Sequence, residues 1–163
     1  MMIFAIALTL LLLAVCYFDM TKFIIPNSIN IIIIALYPIY VLTSPEPVNW
    51  QMALAVMIAA FIFGLGIFAL NIMGGGDVKL IVALCLWIGW QPYVLIQFFT
   101  WVALAGGVLA LFKILVKYTA KLIKKHRQLP HFIKEEGNIP YGLAIAYSFG
   151  YLLWKGLVIE AII

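Results

Sequence analysis

Charge is what this sequence most lacks. Of its 163 residues only 10% are Asp, Glu, Lys or Arg, whereas 67% are hydrophobic and the mean hydropathy is +1.18. A soluble domain carries roughly a quarter charged residues, so that class is excluded. Cysteine is scarce too. Cys16 and Cys85 both lie in apolar runs and form no CxxC, which argues against a zinc site or a redox motif and leaves both as small packing residues. No Lys or Arg precedes the first apolar stretch, which argues against a cleavable signal peptide. No repeat, low-complexity segment or nucleotide-binding loop is present, and no nucleic-acid partner is expected of a net charge of only +4.

What remains is apolar sequence in span-sized pieces. A bilayer core of about 30 Å needs roughly 20 apolar residues per spanning helix. The chain divides into six such segments, at about 1–18, 26–42, 52–73, from just after 77 to 90, 92–115 and 139–159. The expected fold is an all-α membrane bundle of about six transmembrane helices, forming a single integral-membrane domain over 1–163. The punctuation agrees. Ser44-Pro45-Glu46-Pro47 breaks the chain between the second and third segments, and Gly74-Gly75-Gly76 breaks it before the fourth. Pro92 and Pro140 suit first turns of helices, where a missing N–H costs little. Small residues four apart, Ala60 with Gly64 and Ala103 with Gly107, predict close helix packing. Most aromatics, including Trp50, Trp87, Trp90 and Trp154, fall near segment ends, as interfacial belts do.

The basic residues are unevenly placed. Lys22, Lys79 and the group Lys117, Lys121, Lys124, Lys125, Arg127 and Lys134 all fall in odd-numbered loops, and the even-numbered loops hold none. The positive-inside rule then puts the odd loops in the cytoplasm and both termini outside. Lys155, near the end of the last segment, snorkels to the interface in this scheme. Lys113, Lys117, Lys121 and Lys124 recur at helical spacing, so the fifth helix is expected to continue into the interface and meet anionic headgroups. Glu135 and Glu136 read as a solvated loop, and His126 and His131 are too isolated for a metal site.

Ionisable residues at membrane depth are functional candidates by default. Four of the six acids, Glu46, Glu135, Glu136 and Glu160, lie in loops or near a terminus. Asp19 and Asp77 instead abut apolar helices, one ending the first and one starting the fourth. In the six-span scheme both fall at the cytoplasmic face and can meet. Each taken singly also suits a plain helix end, where Asp77 would face the positive pole of its helix. Together, two adjacent carboxylates share one proton and titrate as a unit. The ionised member can take a proton from water while the protonated one polarises a peptide carbonyl. That chemistry needs no metal, no cofactor and no nucleophilic Ser or Cys. The glycines before Asp77 let the backbone unwind and approach a substrate.

At these residues the sequence resembles the type IV prepilin peptidases, which are GxGD intramembrane aspartic peptidases. Gly74-x-Gly76-Asp77-x-Lys79 matches their GxGD-x-K signature. Asp19 followed by Ile25-Pro26-Asn27 is similar to their first motif, and Ile139-Pro140-Tyr141-Gly142 to the motif opening their last helix. The resemblance implies that Asp19 and Asp77 are catalytic and that Gly74, Gly76, Lys79, Pro26, Asn27, Pro140, Tyr141 and Gly142 support them. It implies a pilin-like precursor as substrate, with a basic leader and an apolar helix, and a prokaryotic cytoplasmic membrane as the location. The chain lacks the cysteine-containing insert of the larger bifunctional members. It therefore resembles the short Tad/Flp-type form, from which no methyltransferase activity is expected. The first loop is often Arg-rich in the family, and here only Lys22 remains.

Several residues keep two readings at this stage. Lys79 either acts on the acids or substrate, or is a positive-inside anchor. Asn27 either fixes the loop after Asp19 or caps a helix. Asn71, at the end of an apolar segment, suggests an interhelical hydrogen bond. The main alternative function is a small ion- or proton-coupled transporter using the same acids near an unwound helix. It explains the acids and glycines but not Ile-Pro-Asn or Ile-Pro-Tyr-Gly. A silent membrane scaffold is a third reading, and presenilin-like peptidases share GxGD but not the first motif.

Overall fold

The structure, a computed structural model, describes residues 2–122 and 140–158, without the side chains of 117 and 119–122. The readings of Lys124, Lys125, His126, Arg127, His131, Lys134, Glu135, Glu136, Ile139 and Glu160 fall outside the described residues. Six helices are found among the described residues: α1 Met2–Lys22, α2 Asn27–Thr43, α3 Trp50–Ala69, α4 Gly75–Ile88, α5 Pro92–Leu122 and α6 Tyr141–Trp154. The chain is an all-α membrane protein. Three helices, α1, α3 and α5, are long and apolar enough to cross a bilayer. The other three are shorter, at 17 residues for α2 and 14 each for α4 and α6.

The short α4 is the centre of the bundle. From Val82 to Ile88 every residue is buried, the signature of a helix apolar all round and enclosed by others. It packs against α2, α3, α5 and α6, while α1 closes the ring against α2 and α6. Gly89 ends it with φ 63° and ψ −156°, a backbone state that an L side chain resists. Trp87 lies at that end, against Phe4, Tyr37 and Tyr40. Its indole Nε1 donates to the Ile33 carbonyl at 2.9 Å. The interfacial expectation for Trp87 is therefore corrected: it is only 2% exposed and belongs to the core. A carbonyl partner for the indole N–H is what makes that burial affordable. Trp50, Trp90 and Trp154 are exposed as expected.

Helix ends follow local chemistry. α1 runs four residues past the expected end, so Asp19 lies within its last turn, on the buried stripe of Ala5, Leu8, Leu12 and Val15. Phe23, just beyond α1, has φ 52°, a costly conformation for a bulky residue, and it turns the chain into Ile25-Pro26-Asn27. α3 begins at Trp50 because Asn49 caps it, accepting from the Met52 amide at 3.3 Å. It stops at Ala69, short of the expected 73. Asn71 sits left-handed at φ 55°, its amide bonding to Phe68 O and the Ile72 amide to Ile67 O. That pair of bonds is a Schellman stop. Asn71 is thus a turn residue, and no interhelical hydrogen bond of its side chain is found among the described residues. α5 continues as one helix to Leu122, as the lysine spacing predicts.

The two small-residue pairs differ. Gly64 packs α3 tightly onto α4: a Cβ there would lie 2.6 Å from Val78 Cγ1. Ala103 and Gly107 do not mediate close packing. Both are exposed, and a Cβ on Gly107 would meet nothing within 4 Å.

Candidate active site

Asp19 is 4% exposed, one of three buried polar or charged residues among those described. A carboxylate in such a place needs a donor, and α6 supplies one from its start. The Leu143 amide donates to Asp19 Oδ2 at 3.0 Å. That amide is shared with the Pro140 carbonyl at 3.3 Å; first-turn amides lack the usual partner one turn earlier, and the helix dipole favours an anion there. The arrangement needs glycine at 142, because a Cβ there would lie 2.8 Å from Asp19 Oδ2 and 2.8 Å from Ile25 Cδ1. Pro140 precedes as the N-cap of α6, one position before the expected first turn.

Asp77 is the third residue of α4, whose N-cap is Gly74 with φ −65° and ψ 147°. Its carboxylate turns back onto the helix start, the place that the acidic residue of a capping box occupies. A Cβ on Gly74 would stand 3.1 Å from Asp77 Oδ2. The first motif packs directly on this loop: a Cβ on Gly76 would lie 3.3 Å from Ile25 Cβ and 3.6 Å from Ile25 N. Glycine at 74 and 76 thus serves close approach. Gly75 lies under the Phe68 ring, at 3.3 Å.

The two carboxylates face one cavity of about 600 Å³. Of the residues singled out in the sequence, Asn27, Gly74, Gly76 and Tyr141 line the same space. Lys79, Pro26, Pro140 and Gly142 do not line it. Lys79 instead reaches across 52 positions to Asn27, its Nζ donating to Oδ1 at 3.0 Å. This decides between the readings of Asn27. Pro26 is the N-cap of α2, with no side-chain cap, and the Asn27 amide oxygen is used by Lys79. The contact joins the Ile-Pro-Asn segment to α4 two residues after Asp77.

Phe23, Phe68, Asn71 and Met73 also line the cavity, and sequence reasoning did not place them there. Only the glycine run beside Met73 offered a signal. Among the described residues no group of three or more His, Cys, Asp or Glu is placed to hold a metal ion.

A pair of carboxylates in one partly open cavity, each beside a helix start, is suited to activating water and polarising a carbonyl. A family model for the type IV leader peptidases matches residues 6–111. That stretch holds Asp19, Ile25-Pro26-Asn27 and the Gly74–Lys79 motif. No curated protein and no solved structure matches the chain. The family match covers well over half of the 163 residues, and the chain belongs to the type IV leader peptidase family.

Proposed function

We propose that this leader peptidase is an aspartic endopeptidase, and that Asp19 and Asp77 remove the leader from pilin-like precursors at the cytoplasmic membrane face. The observation that carries this reading is that the two acids share one cavity, Asp19 held by the Leu143 amide and Asp77 set in the first turn of α4. One member of the pair takes a proton from water as the water oxygen adds to the scissile carbonyl carbon. The other gives its proton to the carbonyl oxygen. Collapse of the resulting diol breaks the C–N bond, and the leaving amine takes up a proton. The backbone amide of Leu143 keeps the Asp19 carboxylate oriented through the cycle, and the glycine loop leaves room for an extended substrate chain.

Residues 1–163 act as one integral-membrane unit of the short Tad/Flp type, without methyltransferase activity. The Lys117–Lys134 stretch faces the cytoplasm and anionic headgroups, and the termini face the other side. The substrate carries a basic leader, then Gly, then an apolar helix. Purified protein in detergent, given such a peptide without added metal, is expected to release the leader after the Gly. The cut should survive chelators and serine- or cysteine-directed reagents. An intact peptide, or cleavage abolished by a chelator, would overturn the proposal.

A further inference from the structure

α3 and α5 flank α4 but scarcely touch each other. Between them lies a second cavity, of about 410 Å³, with Val78 and Ile81 of α4 as its floor. Its walls are apolar and partly small, with Ala60 and Gly64 on one side and Ala103 and Gly107 on the other. On α5 it extends from Phe99 to Ala110, about 16 Å at 1.5 Å per residue, or roughly three helical turns. Its volume over that length gives a cross-section of about 25 Å², well below that of a helix about 10 Å wide, so the groove admits one face of a helix and not its full cylinder. The open space at Gly107 is part of this groove.

The groove does not end blindly. Met73 and Tyr141 line both it and the cavity that holds Asp19 and Asp77. Tyr141 is fixed there by Gly106, where a Cβ would lie 3.0 Å from Tyr141 Cε1. A chain passing this point leaves an apolar, membrane-facing recess and enters a space bordered by carboxylates and glycine backbone. A peptide bond inside a helix is wrapped and hydrogen-bonded, so an occupant must be helical on the groove side and extended on the acid side. Lipid tails have no such change of character. A precursor with an apolar helix following a glycine does.

We propose that the α3–α5 groove binds the apolar helix of the precursor side-on, and that Met73 and Tyr141 form the passage where its chain unwinds toward the acids. This inference rests on the peptidase reading above. It is tested by steady-state cleavage of a precursor by Gly107→Leu, which fills the groove from open space. The expected result is a KM raised by about tenfold or more, the value of one apolar side chain's burial, with kcat retained. Leu111→Phe, on the exposed face of α5 outside both cavities, is expected to leave both constants unchanged. An unaltered KM for Gly107→Leu, or an equal rise for Leu111→Phe, overturns the groove. A precursor with a photoreactive residue in its apolar segment gives an independent reading on unaltered protein. Adducts on α3 and α5 are expected, and adducts confined to the outer faces of α1 and α2 overturn the groove. Labelling in the groove without any cleavage would sink the peptidase reading and leave the groove standing. Cleavage with labelling elsewhere would do the reverse.

Discussion

Gly142→Ala adds one methyl group at the point where α6 meets the buried carboxylate. That methyl would stand 2.8 Å from Asp19 Oδ2, 3.0 Å from Asp19 Cγ and 2.8 Å from Ile25 Cδ1. Non-bonded carbons settle near 3.5 Å or beyond, so α6 or the carboxylate must move by about 0.7 Å. If α6 withdraws by that much, the 3.0 Å bond from the Leu143 amide stretches to about 3.7 Å, outside hydrogen-bond range. If the carboxylate swings instead, it leaves the same donor. Either route forfeits a charge-assisted bond worth about 1.5–3 kcal/mol and adds crowding of about 1–3 kcal/mol. Misplacing a catalytic group by roughly 1 Å costs on the order of 100-fold in rate. We expect kcat/KM for precursor cleavage to fall by about that factor, with the protein still present in the membrane. Ile25→Val removes one of the two clashing contacts and should restore activity only in part, since Asp19 remains crowded. An unchanged kcat/KM in well-accumulated Gly142→Ala protein would refute the idea that α6 holds Asp19.

Three further outcomes are expected. Lys79→Met breaks the 3.0 Å bond to Asn27 and should lower kcat, with Asn27→Ala equivalent and the double variant no worse than either alone; additive losses in that double-mutant cycle would show that the two side chains act separately. Trp87→Phe loses the indole bond to the Ile33 carbonyl and should cost about 1 kcal/mol in reversible unfolding in detergent without changing kcat, and an activity loss there would mean that the far end of α4 is coupled to the site. Single cysteines placed at the N-terminus and within 124–134 should be labelled from opposite sides of the membrane, the second from the cytoplasm; the same side for both would break the six-span topology.

Much of the site was legible because its parts lie in short motifs. Asp19, the Ile-Pro-Asn segment and the glycine loop before Asp77 are recognisable in sequence, and all of them except Pro26 line the cavity. What joins them was not legible. Leu143 reaches Asp19 across 124 positions, and Lys79 reaches Asn27 across 52; no spacing rule relates residues so far apart. Helix ends were missed where side chains decide them. Asn49 set the start of α3 two residues earlier than expected, and left-handed Asn71 set its end four residues earlier. Trp87 misled because tryptophan near a segment end has two stable settings, an interface or a core with a carbonyl partner. Burial around the short α4 selects the second, and only the packing of four neighbouring helices reveals it.

The central claim is that Asp19 and Asp77 together perform the hydrolysis. Asn has nearly the shape of Asp but can neither carry the shared proton nor take one from water. Purified Asp19→Asn and Asp77→Asn, at wild-type abundance and thermal stability, should each cleave the leader–Gly–apolar peptide at least about 100-fold more slowly than wild type, the usual minimum for losing an acid–base group. Cleavage by either variant at the wild-type rate would contradict the account.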